Sequence, residues 1–288
     1  MAASQNTSDA NTYRQALLLF LAMAAATAAW LGLNLVFPGI QPTGISQTVS
    51  RLMIHGAILA GLWVGLARAG FNGNKHLRIW LVIAVPFTVW LVLVWWVAFA
   101  SGFRARPGVP TLPPAIFLPL IVGLLLLLPS KRIGALLDAI PASWLVGLQL
   151  YRVLGGIFLV EWLHGRIPGE FALPAGSGDV LVGLLAVPVA YLLHKGARGA
   201  TALAVAWNVL GIVDLASAVT MGTLTQPGPL QLIVPALPNV LLSSYPTVMI
   251  PALAVPSSIL LHALSLRQLR RRVRGGASGA PVGATVLA

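Results

Sequence analysis

Residues 149–183 read QLYRVLGGIFLVEWLHGRIPGEFALPAGSGDVLVG. Most of this stretch is apolar enough for hydrocarbon, yet Arg152, Glu161, His164, Arg166, Glu170 and Asp179 lie within it. A charge at the centre of a membrane helix costs roughly 2.5–3.5 kcal/mol on insertion scales. Ionisable groups in such a setting face protein, water or one another. The stretch holds three of the six acidic residues of the chain, and it reads as the polar centre of a membrane-embedded molecule.

The rest of the chain agrees with that setting. Its 288 residues are 58% hydrophobic and 8% charged, with a mean hydropathy of +0.89. Soluble domains are nearer a quarter charged. Apolar runs of spanning length, about 17–25 residues, recur from residue 15 to residue 266, and no hydrophilic stretch is long enough for a separate soluble domain. The expected fold is all-α: a polytopic transmembrane helical bundle of eight spans. A polar lead (1–14) precedes one membrane domain (15–266), and a tail that is basic and then disordered (267–288) follows it. The first apolar run outlasts the 7–15 residues of a signal-peptide core, so a retained helix is expected.

The eight spans fall at about 15–36, 52–67, 80–100, 115–129, 144–164, 179–194, 201–221 and 245–265. The apolar connection 223–244 is broken by Pro235 and Pro238 and reads as interfacial or re-entrant. An even count puts both termini on one side. That side collects thirteen of the eighteen basic residues, against Arg51, Arg104, Arg106 and Arg166 on the other. The asymmetry supports both termini being cytoplasmic, and the expected location is the cell inner (plasma) membrane, multi-pass. The net charge of +12 is thereby explained by topology and by anionic lipid at the C-terminal arginines. The partners expected are the lipid bilayer and an unknown small-molecule ligand, with no nucleic acid; oligomeric state is open.

By helical spacing, Gln149, Arg152 and Gly156 share a face of span 5. Arg152 lies roughly 12 Å from the cytoplasmic end at 1.5 Å per residue. Asn208 on span 7 has nearly the same depth, and Asp214 is roughly 9 Å beyond it. We expect Arg152 to pair with Asp214, assisted by Asn208 and Gln149. The pair serves either as a structural fastening of spans 5 and 7 or as a substrate or proton site. Glu161, His164, Glu170 and Asp179 are expected near the outer end, at the mouth of a cavity, and Asp179 also suits the N-cap of span 6. The candidate site residues are therefore Gln149, Arg152, Glu161, Asp179, Asn208 and Asp214. Pro246, Pro251 and Pro256 must kink or unwind span 8, which is tolerated at membrane depth only against protein or a wet cavity.

Other chemistry has little support. The absence of cysteine removes disulfides, thiolate nucleophiles and thiolate metal sites. Glu161 and His164 have the spacing of carboxylate-bridged metal helices, but such bundles need a second copy. His55 and Asp179 could complete an outer metal site only by coincidence of depth. Neither metal nor cofactor is expected. Phosphate-loop, dinucleotide, HExxH and GxSxG patterns are missing, so an enzyme is not the first reading and no catalytic residue is assigned.

QLYRVLGGIFL, FALPAGSGDVLVGL, WNVLGIVDLASAV and YPTVMIPALAVPSSILLHALSL resemble an uncharacterised family of bacterial polytopic membrane proteins, over residues 149–266. The resemblance implies a bacterial membrane location and no mechanism. The residues themselves support first a protein that binds or translocates a small molecule, with proton coupling as an option. In that reading Arg152 neutralises a substrate anion or a carboxylate partner, Asp214 and Glu161 titrate, and Asn208 and Gln149 orient. A membrane-embedded enzyme acting on a lipid or quinone with Glu161, His164 and Asp179 is the alternative. A non-catalytic assembly or anchoring subunit is the third.

Overall fold

The computed structural model describes residues 2–37, 44–104, 106 and 108–278, and among these the fold is helical with no strand. The long helices are α1 (Ala2–Val36), α2 (Gly44–Arg68), α3 (Gly73–Phe99), α8 (Gly169–Lys195), α9 (Ala200–Thr225) and α10 (Val255–Ser278). Shorter pieces are α4 (Pro113–Leu127), α5 (Lys131–Ala139), α6 (Ala142–Leu148) and α7 (Ile157–Leu163). A 3-10 stretch, Gln149–Gly156, joins α6 to α7 into one span, and a π turn, Ile250–Ala254, leads into α10. Seven helices are long and apolar enough to cross a membrane, and α4 with α5, bent by 84°, makes a possible eighth. The protein is a multi-pass membrane protein.

Several boundaries differ from the sequence reading. The segment IPGEFALPAGSGD is not a loop: α8 starts at Gly169 and runs through Pro174, so Asp179 lies inside the helix rather than at its N-cap. A membrane interior explains the difference, since backbone groups without a helical partner find no water there. α2 begins before Arg51, which is buried within the helix instead of lying in a loop. α1 starts at Ala2, within the polar lead, and α10 continues through the arginines to Ser278. Residues 279–288 of the tail lie outside the described residues.

Two apolar clusters fill the bundle at different depths. One gathers Ile157, Phe158, Phe171, Ala175, Leu215 and Leu253. The other gathers Ala142, Val146, Val182, Ala186, Trp207 and Leu269. Each of four chain segments runs from one cluster to the other, and each carries polar residues in between: Gln149 and Arg152, Asp179, Asn208 and Asp214, then Ser258, His262 and Ser265. The register matches on all four. A polar layer therefore lies at mid-depth between two hydrophobic ones.

The end of the bundle nearest Leu269 is fastened by α10. Arg267 donates to the carbonyls of Leu127 (3.1 Å) and Ser130 (2.9 Å), Gln268 to those of Leu137 (2.5 Å) and Ile140 (2.8 Å), and Arg272 to Ile140 (2.7 Å). Helix C-termini leave such carbonyls without intrahelical donors and favour cations beside them. Arg271 clamps Asp138 through both carboxylate oxygens, and this hydrogen bonding holds the Asp138 carboxyl below the usual carboxylate range. We call this the basic end. At the far end, residues 226–249 fold back without crossing. Asn239 donates to Thr225 (2.9 Å), and Leu242, Val248 and Met249 are buried in the far cluster.

Candidate functional site

The polar layer is organised by the 3-10 stretch. Such runs seldom exceed three or four residues, whereas this one has eight. Close contact with α8 holds it: a β-carbon at Gly183 would stand 2.6 Å from the backbone nitrogen of Val153. At that contact Arg152 projects inward, its side chain only 1% exposed. Its Nε donates to Asp179 Oδ1 (2.8 Å), and its Nη2 reaches the same oxygen (2.6 Å) as well as Asp214 Oδ2. Its Nη1 donates to the Gly211 carbonyl (3.3 Å) and to His262 Nε2 (3.3 Å).

The partners fix the histidine's tautomer. A guanidinium only donates, so His262 Nε2 is the acceptor and Nδ1 carries the proton. That proton goes to Asn208 Oδ1 (3.0 Å), and Asn208 Nδ2 donates to the Ala204 carbonyl (2.7 Å) and Ser265 Oγ (3.1 Å). The connected set thus runs from two carboxylates through Arg152, His262 and Asn208 to Ser265, on the basic side. Beside it Gln149 Nε2 donates to the Ser258 carbonyl (3.0 Å), and Tyr151 shares a 2.5 Å hydrogen bond with Ser258 Oγ. Arg51 of α2 stands close enough to Asp179 for their charges to interact.

Three glycines make room for this arrangement. A β-carbon at Gly155 would stand 2.5 Å from the β-carbon of Asp179, one at Gly178 would stand 1.5 Å from Asp214 Oδ1, and one at Gly211 2.3 Å from His262 Nε2. Each polar side chain fills the space where a neighbouring helix lacks its own. On the far side, Asp179 borders a cavity of about 30 Å³ that, Thr223 aside, is otherwise lined by apolar groups including Phe158, Phe171, Leu215, Leu242 and Pro251. That volume holds about one water molecule.

Of the residues picked from sequence, Gln149, Arg152, Asn208, Asp214 and Asp179 share the layer, and Arg152 pairs with Asp214 as expected. Glu161 does not join them. It lies at the far end of its span, paired with Arg166 (2.6 Å), because α7 carries it more than a turn beyond the end of the 3-10 stretch. His164 Nε2 lies 3.4 Å from the Leu35 carbonyl, and His55 bonds to Thr88 Oγ1 (3.0 Å) while stacking on Phe87. The grouping of Glu161, His164 and Asp179 at an outer mouth is therefore not assembled. Among the described residues no three His, Asp or Glu side chains converge as a metal site would require.

Sequence reasoning missed Arg51, Tyr151 and the α10 side of the layer. Ser258, His262 and Ser265 recur at helical spacing on an otherwise apolar run, and that stripe was the available signal. Arg51 was hidden because the span was begun after it.

Neither a curated protein nor a solved structure matches the chain. Residues 130–270 match a family described as Domain of unknown function (DUF8737). The matched part takes in every residue of the polar layer except Arg51, so residues 130–270 are similar to a domain of an uncharacterised family, in line with the resemblance over residues 149–266.

Proposed function

We propose that this protein binds and translocates a small molecule across the cell inner membrane, with proton occupancy of Asp179 or Asp214 linked to opening of the polar layer. The observation that carries the reading is one guanidinium shared by carboxylates from two further spans at mid-depth. Three charges, three bared glycines and an extended 3-10 stretch are a costly way to fasten helices. Buried ion pairs add little stability over well-packed apolar groups, and breaking one by losing a partner is expensive. An arginine with two carboxylates can release one and still remain paired. The layer is therefore suited to exchanging a proton or a ligand.

In this proposal α4 counts as the eighth span, with α5 bent away from it at the basic end, and both termini are cytoplasmic. With Arg51 in the interior, the far end keeps Arg104, Arg106 and Arg166 against the many basic residues of the basic end, which favours a cytoplasmic basic end. Arg270 and Arg274 are exposed there and are assigned to anionic lipid.

Reconstituted vesicles in filtered cell extract, under an imposed pH gradient, test the function. Their contents are resolved by mass spectrometry. At least one small solute should accumulate in vesicles holding the native protein and fail to do so with Asp214→Asn. Indistinguishable contents in native, variant and protein-free vesicles would remove the translocation reading.

A further inference from the structure

We propose that the solute is an organic cation, a protonated amine on an apolar body, that takes Asp179 from Arg152 by way of the far-side cavity. This rests on the translocation reading above and adds the charge of the ligand. Counting donors and acceptors in the layer carries it. A guanidinium has five N–H donors, and Arg152 spends four in hydrogen bonds, one each to Asp179, Asp214, Gly211 and His262, while its second Nη2 N–H stands in the ion pair with Asp179 (2.6 Å). His262 spends its one proton on Asn208, and Asn208 spends its amide on Ala204 and Ser265. Arg152 therefore keeps at most one N–H outside a hydrogen bond, and that nitrogen already lies against Asp179, which leaves little for an anion.

The surplus lies with the acceptors. Asp179 Oδ2 and Asp214 Oδ1 receive no hydrogen bond from the described residues. Gln149 Oε1 is fully buried, one turn before Arg152, and has no donor either. A buried acceptor without a donor is costly, and a ligand that supplies N–H groups relieves it. Exposure points the same way. The Asp179 and Asp214 side chains are 14% and 10% exposed, while Arg152 sits behind them at 1%.

Asp179 is the exchangeable one because it borders the cavity. An ammonium that replaced Arg152 there would leave Arg152 paired with Asp214, so neither charge is stranded. The apolar lining suits the body of such a ligand, and Phe158 and Phe171, edge to face at 5.0 Å, offer rings to a cation. In this closed state the cavity admits a water-sized group, so entry requires Phe158, Phe171 and Leu215 to part. Arg51, whose field reaches Asp179 from α2, is the competing anchor for an anion, and the test includes it.

The purified protein in detergent is titrated with dansylcadaverine, a protonated amine, and with dansylglycine, its carboxylate counterpart, by fluorescence. Saturable binding of the amine alone is expected. It should be on the order of tenfold weaker or more in Asp179→Asn, as loss of a charge-assisted hydrogen bond implies. Leu215→Trp, which fills the cavity and leaves the ion cluster in place, should weaken it similarly. Size-exclusion elution and thermal melting identify folded variants, and Leu215→Trp carries the test if Asp179→Asn does not fold. Saturable binding of dansylglycine lost in Arg152→Gln or Arg51→Gln would overturn the proposal. So would binding of neither probe, or amine binding indifferent to the folded variants. An anionic solute accumulating in vesicles would overturn it while leaving translocation intact. Amine binding without accumulation of any solute would do the reverse.

Discussion

Asp214 of α9 occupies the space that a side chain at Gly178 of α8 would need: a β-carbon there would stand 1.5 Å from its Oδ1. Gly178→Ala must therefore push Asp214 away from Arg152. Overpacking of this kind costs typically about 1–3 kcal/mol, and here the ion pair is disturbed as well. Gly61→Ala, where nothing lies within 4 Å, is expected to be neutral or stabilising by up to about 1 kcal/mol. Thermal unfolding in detergent compares the two, and equal melting temperatures would contradict the close approach.

Arg152 and its carboxylates should behave as one unit. Arg152→Gln strands two buried acids and is expected to cost about 3–5 kcal/mol. Asp214→Asn should be destabilising in the native background and neutral or stabilising once Arg152 is gone. A double-mutant cycle by chemical unfolding measures the coupling. Additivity within about 0.5 kcal/mol would mean independent sites.

At the basic end, the clamp of Arg271 on Asp138 ties α5 to α10. Arg271 lowers the Asp138 carboxyl, so its contribution is present above the ordinary carboxylate pKa. It is lost as pH falls through the lowered folded value. Hydrogen exchange of α5 amides should be faster in Asp138→Asn than in the native protein at neutral pH. At equal acidic pH, below that folded value, the difference should vanish. A difference that persists in acid would assign the effect to something other than this charge.

What was legible in the sequence follows from what membranes demand. Spanning helices announce themselves through apolar length, and the Arg152–Asp214 pair was legible because equal depth on two helices is simple arithmetic. Asp179 was misplaced because Pro168, Pro174 and three glycines look like a loop in water, whereas hydrocarbon drives the same residues into α8. The 3-10 stretch was not legible, since its cause is the contact of Gly183 with Val153 on another helix. His262 was not legible as a member of the layer, because its role depends on which face of α10 meets α9. Glu161 was expected near the outer end of its span, and α7 carries it to that end, apart from the layer.

The most direct measurement of the central claim uses the absence of native cysteine. Ala218→Cys lies on the far-side cavity and Ser265→Cys on the basic side of the polar layer. In sealed membranes of either orientation, an impermeant thiol reagent should modify each from its own face only. Conditions that speed one should slow the other, and Asp214→Asn should shift that balance. If both positions stay closed from both faces in acidic and neutral buffer, or if both open together, the polar layer is a fastening and not a gate.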